Sequence, residues 1–293
     1  MTTTSRTFHI YRYQILPTFP RDDFDLHFTP QFEIKSVDEL IERKNELFAK
    51  AVKSTNEFKH TWATITHQWY EKEEYILLKI GANRVLRRIT KEFKEEFLDN
   101  WPSAYLVINN NPNVQIMAIE LEEQAFERTT TIVNLLAANI NKKLDKYKLS
   151  MVVEPVYLES KFWDIVNTHK HRISKVTFLM VAPNLANISK NLKFDLKELK
   201  SRTNSLRTNV TLQAPPKESL KISKDDEFTQ SLAEYSSKGG GTAHFRIKGL
   251  SKLIKTEDSI KTFEVDEIYF SGDSSNLVFD QLIRQLRMEL KDD

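Results

Sequence analysis

The sequence predicts an α+β fold, an antiparallel sheet with covering helices plus a basic C-terminal α+β region. Three observations carry that expectation. Between Thr61 and Leu121, four short runs rich in β-branched and aromatic residues follow one another: "TWATITHQWY", "EEYILLKIG", "SAYLVINN" and "NVQIMAIEL". Helical patterns flank this block on both sides, and beyond Pro183 the texture turns basic.

Taken in order, "TFHIYRYQIL" (Thr7 to Leu16) reads as a strand, with Phe8, Ile10, Arg12 and Gln14 on one face and His9, Tyr11, Tyr13 and Ile15 on the other. A proline-bearing stretch, "PTFPRDD", then leads into the extended "FDLHFTPQFEIK". In "SVDELIERKNELFAKAV", Ser36 is the expected N-cap and Asp38 and Glu39 form an acidic first turn. Leu40, Ile41, Leu47, Phe48 and Val52 make its apolar stripe. After the four strands, "EQAFERTTTIVNLLAANINKKLDKY" places Phe126, Val133, Ala137, Ile140 and Leu144 on one stripe, a helix that should cover the sheet. "LSMVVEPVYL" and "ISKVTFLMVAP" return as strands around a helical "SKFWDIVNTHK". This gives an α+β body over residues 1–183 and a basic α+β domain over 184–293. In the latter, a basic helix (Asn184 to Arg207), the strand "TNVTLQA", the helix "DEFTQSLAEYSSK", two further strands and the amphipathic "SNLVFDQLIRQLRMEL" follow in turn.

The chain carries no cysteine, which removes disulfides, Cys-ligated zinc, iron–sulfur clusters and thiol catalysis together. Its start lacks the apolar centre of a signal peptide, and no apolar run approaches the ~20 residues of a membrane span, so the expected location is the cytosol, with no membrane partner. The formal net charge of +2 hides an asymmetry. From Asn187 to Lys255 there are about 14 Lys and Arg against about 7 Asp and Glu, near +7, so the remainder sums to about −5. Such a segment is either a solvated face or a polyanion-binding surface.

Catalytic signatures are weak. Gly239, Gly240 and Gly241 follow a helix and precede the strand "TAHFRIKG", whereas a phosphate-binding fingerprint needs glycines after a strand and before a helix. They read first as a helix stop. A second reading is a hinge that lets the backbone approach a ligand, since Arg246, Lys248, Lys252 and Lys255 follow closely. His169 and His171, two apart beside Asp164 and Glu159, point in different directions on a helix and make a poor metal site. Asp25 with Glu33 and Lys35 is compatible with a metal-dependent nuclease, in which two carboxylates hold Mg²⁺. Glu159 and Lys161 repeat the same Glu-x-Lys triplet, and solvated charge on a strand is the plainer reading. No P-loop, nucleophile elbow, zinc-protease motif or cofactor signature is present.

The succession "NVTLQAPPKESLKISKD" and "LAEYSSKGGG", with the order of sheet, covering helix and basic tail from about Trp101 onward, resembles the RexA-like phage-exclusion proteins. The resemblance spans the second half to two thirds of the chain. It implies an anti-phage defence protein of the prokaryotic cytosol that binds DNA without strong sequence preference, dimerises and meets a partner protein of the same system.

The leading expectation is therefore a non-enzymatic, sequence-nonspecific DNA binder. Lys190, Lys193, Lys197, Lys200, Arg202 and Arg207 would grip phosphates from the basic helix, and Arg246, Lys248, Lys252 and Lys255 from the segment after the glycines. The alternatives are the nuclease and a non-catalytic protein-interaction scaffold.

Overall fold

A computed structural model describes residues 4–20, 23, 34–61, 63–182, 196, 200, 203–270 and 275–291. The fold is α+β, with antiparallel sheets and helices packed on them.

The larger sheet is organised by β1 (Ser5–Pro17). One edge of β1 pairs with β7 (Ile116–Glu120), and the order continues through β6 (Ser103–Asn109), β3 (Tyr75–Ala82) and β2 (Ile65–Lys72). The opposite edge is shared: β13 (Thr262–Asp266) pairs with residues 5–9, and β8 (Leu149–Pro155) with residues 11–17. Both faces of this sheet are covered, which explains why β1 and β3 are apolar on both sides rather than alternating. On one face Tyr11, Tyr13 and Ile15 meet α1 (Val37–Lys53) and α2 (Thr129–Leu144). On the other, Phe8 and Ile10 meet α5 (Ser275–Glu289) through Val278, Phe279 and Leu282. At the start of α1 the N-cap Ser36 accepts from the Glu39 amide at 3.1 Å, and the Glu39 carboxylate reaches one residue further back, accepting from the Lys35 amide at 2.7 Å.

The smaller sheet has the order β10 (Arg207–Gln213), β9 (Ile173–Val181), β11 (Gly241–Ile247), β12 (Ile254–Lys255). Its inner face carries Val176, Phe178, Met180, Ala243 and Phe245. These pack on Phe162 and Trp163 of α3 (Glu159–Thr168) and on Leu232 and Tyr235 of α4 (Glu227–Tyr235). Strand pairing thus crosses the boundary expected near Asn184. β9 lies before it yet pairs with β10 and β11, while β13 and α5 return to the larger sheet. Burial decides this: β9 has an apolar inner face that only β10 and β11 complete.

A two-stranded hairpin, β4 (Leu86–Ile89) with β5 (Glu95–Leu98), makes a third sheet that sequence reasoning left unassigned. No helix among the described residues is long and apolar enough to cross a membrane.

Candidate nucleic-acid interface

Among the described residues, the second sheet is covered on one side only. Strand alternation turns Val176, Phe178 and Met180 inward, so Lys175, Thr177 and Leu179 must face outward. On β10 the exposed residues are Arg207, Asn209, Thr211 and Gln213, and on β11 His244 and Arg246 alternate with buried Ala243, Phe245 and Ile247. No described helix packs on this outer face.

Register brings its cations together. Lys175 stands directly opposite Arg246 on one side and Gln213 on the other, and the pairing of Arg246 is followed by a bulge. Two residues further along, Thr177 lies between Thr211 and His244, with the two threonine hydroxyls 3.2 Å apart. His244 in turn stands opposite Lys255. Across adjacent strands such partners are about 5 Å apart at Cβ, and like charges there repel. Among the described residues, the Arg246 guanidinium makes one hydrogen bond, a long 3.4 Å contact from Nη1 to the Ser251 carbonyl. Lys175 has no carboxylate partner among the described residues.

Of the cations expected to bind phosphate, Lys190, Lys193, Lys197 and Arg202 lie outside the described residues. Two others are committed to the fold. Lys200 donates from Nζ to the Pro17 carbonyl at 3.0 Å, and burial pushes its pKa down. Arg207 pairs through Nη1 with the Glu154 carboxylate at 2.5 Å. Burial pushes the Glu154 carboxyl up, against the downward pull of Arg207. Lys200 and Arg207 thus each have a partner within the protein, the half-buried Pro17 carbonyl and the buried Glu154 carboxylate, and the Arg207 side chain stays about half exposed. Lys248 is half committed, its Nζ donating to the Lys217 carbonyl at 2.5 Å and to Ser219 Oγ at 3.1 Å. Lys255 pairs with Glu257 at 2.9 Å, and that bond raises its pKa. Arg246 and Lys252 are exposed.

The glycines approach the protein itself rather than a ligand. Gly239 has φ +81°, the left-handed conformation that ends a helical segment, and all three glycines are buried. A Cβ on Gly240 would strike the Tyr235 ring, and one on Gly241 the Leu179 carbonyl of β9. The run stops the helix and seats β11 against β9.

Sequence reasoning missed Lys175, whose signal was available in "ISKVTFLMV": a charge alternating with apolar residues marks the solvent face of a half-buried strand. The nuclease trio is not assembled by the described residues, since Asp25 and Glu33 lie outside them. No group of three His, Asp or Glu side chains among the described residues could hold a metal. The Glu159 carboxylate instead accepts from Trp163 Nε1 at 2.8 Å, and the His169 amide caps α3 by donating to Ile165. Comparison with protein-family models, curated proteins and solved structures finds no match to the chain.

Proposed function

We propose that the protein binds DNA through its phosphate backbone, without sequence preference, on the outer face of the second sheet. The observation that carries this reading is the juxtaposition of Lys175 and Arg246 on a strand pair over which no described helix packs. Like charges directly opposite cost stability, and an anion lying between them reverses the sign of that term. The flanking Thr177, Thr211 and Gln213 add hydroxyl and amide donors of the kind that contact phosphate and sugar. With the resemblance to RexA-like proteins, this describes a cytosolic DNA-binding component of a prokaryotic anti-phage defence system, working beside a partner protein.

A gel-shift series on two unrelated duplexes over a range of salt tests it. If about three phosphates are neutralised by Lys175, Arg246 and Lys252, log K falls with log salt at a slope of roughly −2 to −3, alike on both duplexes. A flat profile refutes the reading. Plasmid cleavage in Mg²⁺ in the same preparation moves the assignment to the nuclease.

A second observation favours self-association as part of this function. The β4–β5 hairpin exposes Ile89, Phe93 and Phe97 at 63%, 89% and 66% of their surface. Both its outer edges are unpaired among the described residues. A lone two-stranded ribbon is marginal in water. Its cross-strand pairs, Arg87 with Glu95 and Arg88 with Glu96, give it both signs of charge, so a second copy related by a two-fold axis meets complementary groups. Sedimentation velocity of Phe93→Asp against the parent protein decides this, a shift to monomer being the expected result.

A further inference from the structure

At one end of the second sheet, α3, the residues that follow it and the loop 217–224 line an open hollow of about 810 Å³. Its walls carry Lys170, His171, Lys217, Lys221, Lys224 and Lys248. Glu218 is the one carboxylate in the lining, and none of the five lysines forms an ion pair among the described residues. Lys224 instead lies over the Trp163 ring, 5.6 Å from its centroid. The floor is apolar, formed by the buried Trp163, Val166 and Ile222.

The enclosing loop is held in place before any ligand arrives. Lys248 Nζ ties the Lys217 carbonyl and Ser219 Oγ together. The Ser219 hydroxyl donates to the His171 carbonyl at 2.7 Å, and the Leu220 amide to the Ile173 carbonyl at 2.7 Å. Lys217 itself is held at φ +68°, a conformation that a non-glycine residue adopts at some cost. Lys170, Lys217, Lys221 and Lys224, exposed around one concavity, make its field positive and raise the local concentration of anions.

We infer that this hollow binds a small anion bearing two or more phosphates, in chemical class a nucleotide. Its phosphates engage the lysine walls and its base lies on the apolar floor. Concavity separates this site from the open sheet face. A hollow with an apolar floor and cationic walls encloses most of a small ligand, whereas a nucleic-acid backbone runs along an extended surface. The inference goes beyond the DNA-binding reading and does not depend on it.

Isothermal titration calorimetry with ATP and with pyrophosphate, in about 0.15 M salt, a moderately screening concentration, tests the site. ATP is expected to bind the parent protein, and pyrophosphate more weakly because it leaves the floor uncovered. Lys221→Glu with Lys224→Glu should lower ATP affinity by about tenfold or more. Lys175→Glu with Arg246→Glu, on the open face, should leave it unchanged. Should the first pair unfold, as judged by circular dichroism, Lys170→Gln with Lys221→Gln replaces it and should also weaken ATP. The inference is overturned if neither anion binds the parent, if the lysine changes leave ATP affinity intact, or if only the open-face changes reduce it. Failure of the DNA reading is separate, since it is read from the gel shift of the open-face variant.

Discussion

Arg12 of β1 donates from Nε to the carbonyl oxygen of Lys238 at 2.5 Å, joining the larger sheet to the turn that feeds the smaller one. Its Nη1 donates to the Val114 carbonyl, also at 2.5 Å, and its aliphatic stem lies where a Cβ on Gly239 would fall. One buried guanidinium thus fixes the spacing between β1, the loop before β7 and the turn at the end of α4.

Arg12→Leu should therefore destabilise the protein by about 2–3 kcal/mol, because two half-buried carbonyls lose a charged donor. Urea unfolding measures it as a lowered midpoint. An unchanged midpoint would mean that water replaces the guanidinium at no cost.

Gly240→Val should act on folding rather than on binding. The new side chain meets the Tyr235 ring, itself anchored by its hydroxyl to the Val181 carbonyl at 2.7 Å. A loss of about 3 kcal/mol or more is expected from such a clash in a packed interior. DNA affinity per folded molecule, from gel shifts corrected for the folded fraction, should match the parent.

On the open face, Lys175→Glu with Arg246→Glu should weaken DNA binding about tenfold or more on unrelated sequences and reduce the salt slope by about 2. The contrasting substitution is Lys200→Met. Its ammonium already serves the Pro17 carbonyl, so DNA affinity should hold while thermal stability changes. The opposite pattern would return the interface to the basic helix.

Lys44 of α1 is buried, and desolvation lowers its pKa to about 8. Its folded pKa thus lies below the unfolded value of about 10.4, so between those pH values the unfolded chain binds more protons. Stability from this residue therefore rises as pH increases through that window. Lys44→Met should remove that rise and stabilise the protein at pH 7 by on the order of 2–3 kcal/mol. Chemical denaturation at pH 7 and pH 10 checks the sign.

Local patterns were legible where a segment's own residues decide its state. Ser36 with Glu39 marks the start of α1, and the glycine run marks the end of α4, because capping and left-handed backbone are short-range requirements. The hairpin at Leu86–Leu98 was not, since its exposed, charge-rich strands bury no regular face and leave no clean period. Partner choice was equally hidden. "KTFEVDEIYF" reads as a strand, yet nothing local tells Phe263 that it stacks on Phe8, ring centroids 5.3 Å apart. For the site, counting charge over Asn187 to Lys255 drew attention to cations such as Lys200 and Arg207, which the fold uses. Lys175, outside that window, was passed over although it completes the pair with Arg246.

The shared edge of β1 sets an order of events during synthesis. Residues 11–17 are paired once β8 has been made, whereas residues 5–9 wait for β13, and the Ser5 hydroxyl reaches its acceptor Glu264 across 259 positions. Until residues 262–266 leave the ribosome, that stretch presents unsatisfied amides and carbonyls beside an apolar face that α5 has not yet capped. Contacts so distant along the chain close slowly. The nascent polypeptide therefore passes through a long interval in which one edge of β1 is open to capture by another chain.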